Sequence, residues 1–503
     1  MAERITISPI TRLEGHGKID IMLDDEGNVS DCLFRVVELR GFEKFLEGRP
    51  VEELPRITPK VCGVCPGAHH MASAKATDAL FGVEPPPAAR KLRELYLDAH
   101  IAHSHLLHFF ALGAPDFLPG PDAPVEKRNL LGLVELVGPE LGRRVLAARG
   151  HCQRIQGLIA GHPIHPVAAI PGGMSKSLCG AERDQILPWT DELLALAQDA
   201  LALFREQILG QERLRQMICG DLYYHETHYA GLVDAQGQLS FYDGQVRVID
   251  TSGAELVRFE GKDYLEHIAE RVLPFSYMKF PYLKARGFHG LVAGPDSGVY
   301  RVNSLARLNV ASAMATPLAE QARQELFDLF GTRPVHHTLA FHWARLVELL
   351  YCCEAVHRLV RDDEITSPEV RVAPTGTPSE GVGVVEAARG TLYHHYQTDR
   401  QGMVRKVNLI VATAQNNAAM GLSVKRAAEH LIRDGAYDDA ILDRVELAFR
   451  AYDPCLACAT HSLPGAMALR LRVIGPDGTV KRIIARRKTS HLSQKYLAKV
   501  RQV

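Results

Sequence analysis

The chain has 503 residues, enough for about three average domains, and its 46% hydrophobic and 23% charged residues exclude a disordered or fibrous protein. With 58 Lys+Arg against 59 Asp+Glu, the net charge of −1 offers no global attraction to nucleic acid or to an acidic membrane. No run of 18 apolar residues occurs, which argues against an ordinary membrane helix, and Met1–Ile10 is charged where a secretory leader would be apolar, so a cytoplasmic protein is expected.

Strands are predicted over Arg4–Pro9, Gly17–Asp24 and Val29–Val37, punctuated by Asp25-Glu-Gly-Asn28. Helical periodicity follows from about Pro87 to Leu112 and again from about Gln185 to Gln216. Between Leu222 and Phe259 the period shortens and turn signals recur at Asp234-Ala-Gln-Gly237, Tyr242-Asp-Gly244 and Asp250-Thr-Ser-Gly253, which reads as a small β insertion over about 222–259. Further helices are predicted at about Ala319–Leu329, Phe341–Val360 and Asn417–Arg433. Without linkers or a repeat of fixed period, this pattern favours an α+β fold. One large, mostly helical domain with a helix-bundle core and small β appendages is expected over residues 1–461.

Residues 462–503 differ in charge. They hold ten Lys/Arg against one acid, Asp477, and leave residues 1–461 at −10. A hairpin is predicted there, Met467–Ile474 and Thr479–Ala485 around Pro476-Asp-Gly478. By itself such a segment reads as a basic extension suited to an acidic partner.

Ten cysteines in an unsecreted chain do not suggest a disulfide framework. Cys32, Cys152, Cys179, Cys219, Cys352 and Cys353 are scattered and read as small buried hydrophobes. The other four form two CxxC pairs, Cys62/Cys65 and Cys455/Cys458, standing 390 residues apart. A CxxC turn places two sulfurs on one side of the chain, where they can share a metal ion. Four thiolates are a soft donor set, suited to zinc, copper(I), nickel or iron rather than magnesium or calcium. The separation of the pairs weakens the reading of a local zinc knuckle.

The flanks narrow the choice. The pairs sit in Thr58-Pro-Lys-Val-Cys62-Gly-Val-Cys65-Pro-Gly-Ala-His69-His70 and Asp453-Pro-Cys455-Leu-Ala-Cys458-Ala-Thr-His461. With Ile10-Thr-Arg-Leu-Glu-Gly-His16, Arg40-Gly-Phe-Glu43, Ile164-His-Pro166, Pro171-Gly-Gly173, Tyr300–Asn309 and Glu386–His394, they resemble the signatures of the [NiFe]-hydrogenase large subunit. Lys60, Ser104 and Ala388 depart from the commonest pattern. Together with Tyr282-Leu-Lys284 and Ala306-Arg-Leu-Asn309 they resemble the cytoplasmic multimeric class more than the membrane-bound one.

That resemblance implies a nickel ion bound by Cys62, Cys65, Cys455 and Cys458, with Cys65 and Cys458 also bridging to an iron that carries carbon monoxide and cyanide. It implies reversible heterolytic cleavage of H2, with Cys455 as first proton acceptor and Glu14 as the next. For Glu14, the competing structural reading is an ion pair with Arg12. Arg389 would stand over the open metal position, Thr413 would hydrogen-bond a cyanide, and Asp453 would complete the canopy. Glu43, His461 and a carbonyl near Leu409 would hold Mg²⁺ or a similar cation. Implied partners are an iron–sulfur small subunit and further electron-transfer subunits of heterodisulfide-reductase, NAD(P) or deazaflavin type, the first being favoured; no nucleic acid is expected. Nickel chaperones and an endopeptidase cutting after His461 would serve maturation and release 462–503.

Two other classes compete: an H2 sensor with the same centre, and a non-catalytic zinc module built on the four cysteines. The related respiratory complex I subunit lacks the nickel cysteines. His100, His103, His105 and His108 lack clean metal spacing and read as core or surface histidines. His225-Glu-Thr-His228 is one residue short of HExxH, and Gly381-Val-Gly383 lacks the third glycine of a dinucleotide fingerprint.

Overall fold

The structure is a computed structural model that describes residues 4–8, 10, 12–38, 41–120, 123–124, 127–456, 470–474 and 480–485. At the N-terminus, β1 (Arg4–Ile7), β2 (Gly17–Leu23) and β3 (Val29–Val36) form an antiparallel meander. Ile5, Ile7, Ile19, Ile21 and Leu23 are buried. Asp20 is buried as well, ringed by Arg4, Lys18, Arg35 and the Thr6 hydroxyl. Burial works against its charge, but those partners outweigh it and bring the carboxyl down to about 2.

The rest is mostly helical, and its main helices include α1 (Pro66–Phe81), α2 (Pro87–Leu107), α3 (Pro139–Ala160), α4 (Gly180–Leu203), α5 (Ala340–Leu359), α6 (Asn417–Leu431) and α7 (Asp439–Arg450). In the bundle α2–α5, α2 packs on α3 and α5, and α4 packs on the same two. The predicted boundaries shift where the helical hydrogen bonding changes. α2 stops at Leu107 and the chain continues as a π-helical turn, His108–Gly113, instead of a regular helix to Leu112. The single helix expected over 185–216 starts earlier, passes through a π turn at Phe204–Leu209, and resumes at Glu212–Cys219. Sequence reasoning missed α1, which is buried on nearly every face and so shows no polar stripe.

Three strands, β4 (His228–Val233), β5 (Gln245–Ile249) and β6 (Glu255–Phe259), form a sheet that the two-residue strand β7 (Tyr300–Arg301) joins parallel to β4. A second, unforeseen sheet is the antiparallel β8 (Glu380–Ala387), β9 (Gly390–Thr398) and β10 (Val404–Ile410). It lies on α1, and the two glycines read as an incomplete fingerprint explain how. A Cβ at Gly383 would come within 2.0 Å of the Ala72 carbonyl oxygen, and one at Gly381 within 2.2 Å of that of Ala76. Helix and strand can approach this closely only without those side chains. In the basic segment, β11 (Arg470–Ile474) and β12 (Val480–Ala485) form a hairpin that extends the N-terminal sheet, with Arg4 opposite Ile474.

Of the six scattered cysteines, Cys32, Cys152, Cys352 and Cys353 are buried and Cys219 is half-buried. Cys179 departs from expectation: it is exposed and caps α4, its amide donating to Glu182 Oε2 over 3.0 Å.

Candidate metal centre

A short 3-10 turn, Thr58–Val61, leads into Cys62, and Cys65 forms the N-cap of α1 with Pro66 as its first residue. The amides of Val64 and Cys65 donate to Cys62 Sγ over 3.3 and 3.0 Å. Backbone donors and a helix N-terminus both favour the thiolate over the thiol.

Cys455 arrives from the opposite end of the chain. α7 ends at Arg450, Asp453 turns the backbone through φ 55°, and Cys455 forms a parallel bridge with Glu14. The bridge is fastened by the Leu456 amide donating to the Glu14 carbonyl over 2.7 Å and by the Cys455 amide donating to Thr413 Oγ1 over 3.2 Å. Cys455 Sγ then lies 3.2 Å from Glu14 Oε2. The Arg12 alternative fails, because Arg12 pairs with Asp116 and donates to the Leu112 carbonyl.

The sulfurs of Cys62, Cys65 and Cys455 all lie within 4.8 Å of one another, with Cys62–Cys65 at 2.6 Å and Cys62–Cys455 at 3.3 Å. They are 1%, 6% and 3% exposed. Three buried thiolates so close together would repel each other strongly unless a cation neutralised them, and a soft metal ion suits this donor set. The sequence partner Cys458 and the cation-site candidate His461 lie outside the described residues.

Arg389, 4% exposed, closes one side of the cluster. Its Nε donates to the Asp453 carbonyl over 2.6 Å, Nη2 faces the two Asp453 carboxylate oxygens at 3.0 and 2.9 Å, and Nη1 donates to Ser104 Oγ over 3.4 Å. Burial alone would weaken its charge. The negative charges of Asp453 and then of Cys455, Cys65 and Cys62 outweigh that and hold the guanidinium protonated. Asp453, Thr413 and Ser104 are thus gathered around Arg389 and Cys455.

Glu43 stands apart from the cysteines. Its Oε1 accepts from the Leu409 amide over 3.2 Å and lies 3.8 Å from Lys279 Nζ, which also pairs with Glu270 at 3.0 Å. Glu43, Lys279 and Glu270 line a cavity of about 370 Å³ with Tyr264 and His395. The Leu409 group that meets Glu43 is its N–H, whereas a cation would use a carbonyl there.

The sequence reading overlooked Arg307. It is fully buried and is held by Glu348 at 2.6 Å and Glu386 at 2.7 Å, while His105 Nε2 lies 3.0 Å from Glu348 Oε2. The Tyr300–Asn309 and Glu386–His394 segments contain Arg307 and Glu386, yet no local spacing marks a pairing between positions so far apart, nor their link to Glu348. His100 is likewise no bystander: it is buried, its Nδ1 lies 3.1 Å from Gln156 Oε1, and it feels the charges of Cys62 and Arg389. His225 is buried against Arg301, away from any cluster with His228. Among the described residues, no helix is long and apolar enough to cross a membrane.

Known proteins share this arrangement of chain. The family model described as nickel-dependent hydrogenase matches residues 40–123 and 233–461, and a HoxL-like model matches 4–39. The chain is 47% identical over 483 residues to an F420-non-reducing hydrogenase iron-sulfur subunit of Archaeoglobus profundus, covering 96% of this chain and 99% of that one. It is 37% identical to the "NAD-reducing hydrogenase HoxS subunit beta" of Cupriavidus necator over 95% of this chain and 98% of the relative. Among solved structures, an NAD+-reducing [NiFe]-hydrogenase in its H2-reduced state superimposes with a TM-score of 0.85 at 41% identity, covering 91% of this chain and 99% of that chain.

Proposed function

The chain belongs to the nickel-dependent hydrogenase family as the large subunit of an oxidoreductase acting on H2, and we propose that Cys62, Cys65, Cys455 and Cys458 hold its Ni–Fe centre. In this reading Cys62 and Cys455 would hold nickel alone, and Cys65 and Cys458 would hold both nickel and an iron that carries carbon monoxide and cyanide. When bound, the centre supplies an open redox-active position at which H2 is split heterolytically.

The remaining work falls to side chains. Cys455 Sγ takes the proton and hands it to Glu14 Oε2, 3.2 Å away. Arg389 holds a fixed positive charge over the thiolates, aimed by Asp453 and Ser104, and excludes water from that side. The Thr413 hydroxyl fixes the Cys455 backbone and has a proton of its own to offer a cyanide nitrogen. Glu43, the backbone at Leu409 and His461 would hold Mg²⁺ or a similar cation, taking the place Lys279 Nζ approaches here. Cleavage after His461 would release 462–503 once the metals are in place.

The observation that carries this reading is the convergence of cysteines from both ends of the chain on Glu14 and Arg389, groups a structural zinc site has no use for. The relatives support a cytoplasmic, multi-subunit enzyme that passes electrons to an iron–sulfur small subunit. The motifs around Cys62 and His69 favour a heterodisulfide-reductase-type acceptor, with NAD(P), as in the NAD-reducing relative, as the alternative. An infrared spectrum of the protein matured with its partner tests the centre. Carbonyl and cyanide bands that move under H2 are expected, whereas metal-loaded protein without them would leave the zinc-module reading in its place.

A further inference from the structure

α1 and β9 share a buried hydrogen-bonded row that the proton route through Glu14 does not use. Cys65, His69 and Ser73 fall four residues apart on α1 and its N-cap, so they stack along one helix face. His394 and Tyr396, two residues apart on β9, face them from one side of the strand. His69 Nδ1 and His394 Nε2 are 3.0 Å apart, His394 Nδ1 is 2.5 Å from the Tyr396 hydroxyl, and that hydroxyl donates to Ser73 Oγ over 2.9 Å. None of the four side chains is more than 1% exposed.

The direction of this row is fixed from its far end. Because the Tyr396 hydroxyl donates onward to Ser73, its oxygen accepts from His394 Nδ1–H. In its uncharged form His394 then carries its lone pair on Nε2 and accepts from His69 Nδ1–H. One tautomer of His69 results, one helical turn beyond Cys65. Gly381 and Gly383 permit the close approach of α1 to the sheet beside this row.

We propose that Ser73, Tyr396 and His394 are positioning residues that act through His69, holding its ring and tautomer and thereby the hydrogen bonding offered to the cysteine cluster from that side. The inference rests on the hydrogenase reading above and extends it to residues that touch no metal.

The experiment uses the matured complex with its small subunit and reads the carbonyl and cyanide infrared bands as well as H2 oxidation. Tyr396→Phe is expected to displace the bands and to lower turnover about ten-fold, the size of effect seen when partners of a metal ligand are lost. Ser73→Ala, which keeps the tyrosine, is expected to displace the bands less and in the same direction. In a His69→Gln background, Tyr396→Phe should add no further displacement, because the effect travels through His69. Bands unmoved in both single variants would overturn the proposal, as would a displacement equally large without His69. A nickel-loaded wild-type complex lacking the bands altogether would overturn the hydrogenase reading and this inference with it, an outcome distinct from unmoved bands in the variants.

Discussion

Arg307 and Arg389 are both buried arginines close to one short segment, since Arg307 donates to the Ala387 and Ala388 carbonyls just before Arg389. Their surroundings differ. Arg307 is matched by two carboxylates, Glu348 and Glu386, and spends its remaining donors on backbone oxygens. Arg389 meets one carboxylate among the described residues, Asp453, and its charge is further sustained by three thiolates. Burial alone therefore does not separate a clamp from a catalytic cation. The separating feature is whether the positive charge is already cancelled or is held toward a site where negative charge will gather.

Substitutions and a titration press on this contrast. Arg307→Met would leave Glu348 and Glu386 buried without a counter-charge, at a cost of about 3–5 kcal/mol in stability. Denaturant unfolding of the unmatured subunit should show the loss, and equal stability would contradict the clamp role. Arg389→Lys keeps the charge but loses the planar fork that meets Asp453 and Ser104 together. Folding and nickel content should persist while H2 oxidation falls about 10²–10³-fold, roughly 3–4 kcal/mol in the barrier. Wild-type turnover in nickel-loaded Arg389→Lys would remove the arginine from the mechanism.

A third prediction, smaller for each residue, concerns acid. Burial lowers His100, beside the cluster, and His105, beside Glu348, to about 4, and His70 likewise. Their folded values lie below those of the unfolded chain, so the unfolded state binds more protons between these limits. Stability from these neutral imidazoles is complete above about 6.5 and falls as pH drops toward about 4, by on the order of 3 kcal/mol for each histidine. Urea midpoints measured across that range should decline, and less steeply in His105→Gln. A flat profile would show that these histidines are solvated.

Much of the candidate site was legible because its chemistry is written in rare, closely spaced residues. Cys62, Cys65, Cys455, Glu14 and Arg389 sit in short motifs, and the structure brings these five together. An Arg12–Glu14 ion pair is a reasonable local expectation. It loses to Asp116, 104 residues away, which no local pattern could supply. The same holds for Arg307 and for the His69–His394 row, where each partner is ordinary until the chain folds. In the fold, amphipathic helices such as α6 announced themselves. α1, β8 and β9 did not, being buried for most of their length on both sides and therefore without the alternation that periodicity detects. Cys179 misled for the opposite reason: a residue type usually buried serves here as an exposed helix cap.

The central claim is that the buried cysteine cluster, with Glu14 and Arg389, splits H2 heterolytically. Its most direct measurement is isotope exchange, in which the matured complex is held under D2 in ordinary water without an electron acceptor and the gas is followed for HD and H2. Exchange by the wild type, and its loss in Cys65→Ser, is the result this account predicts. A nickel- and iron-loaded wild-type complex that returns only D2 would contradict it.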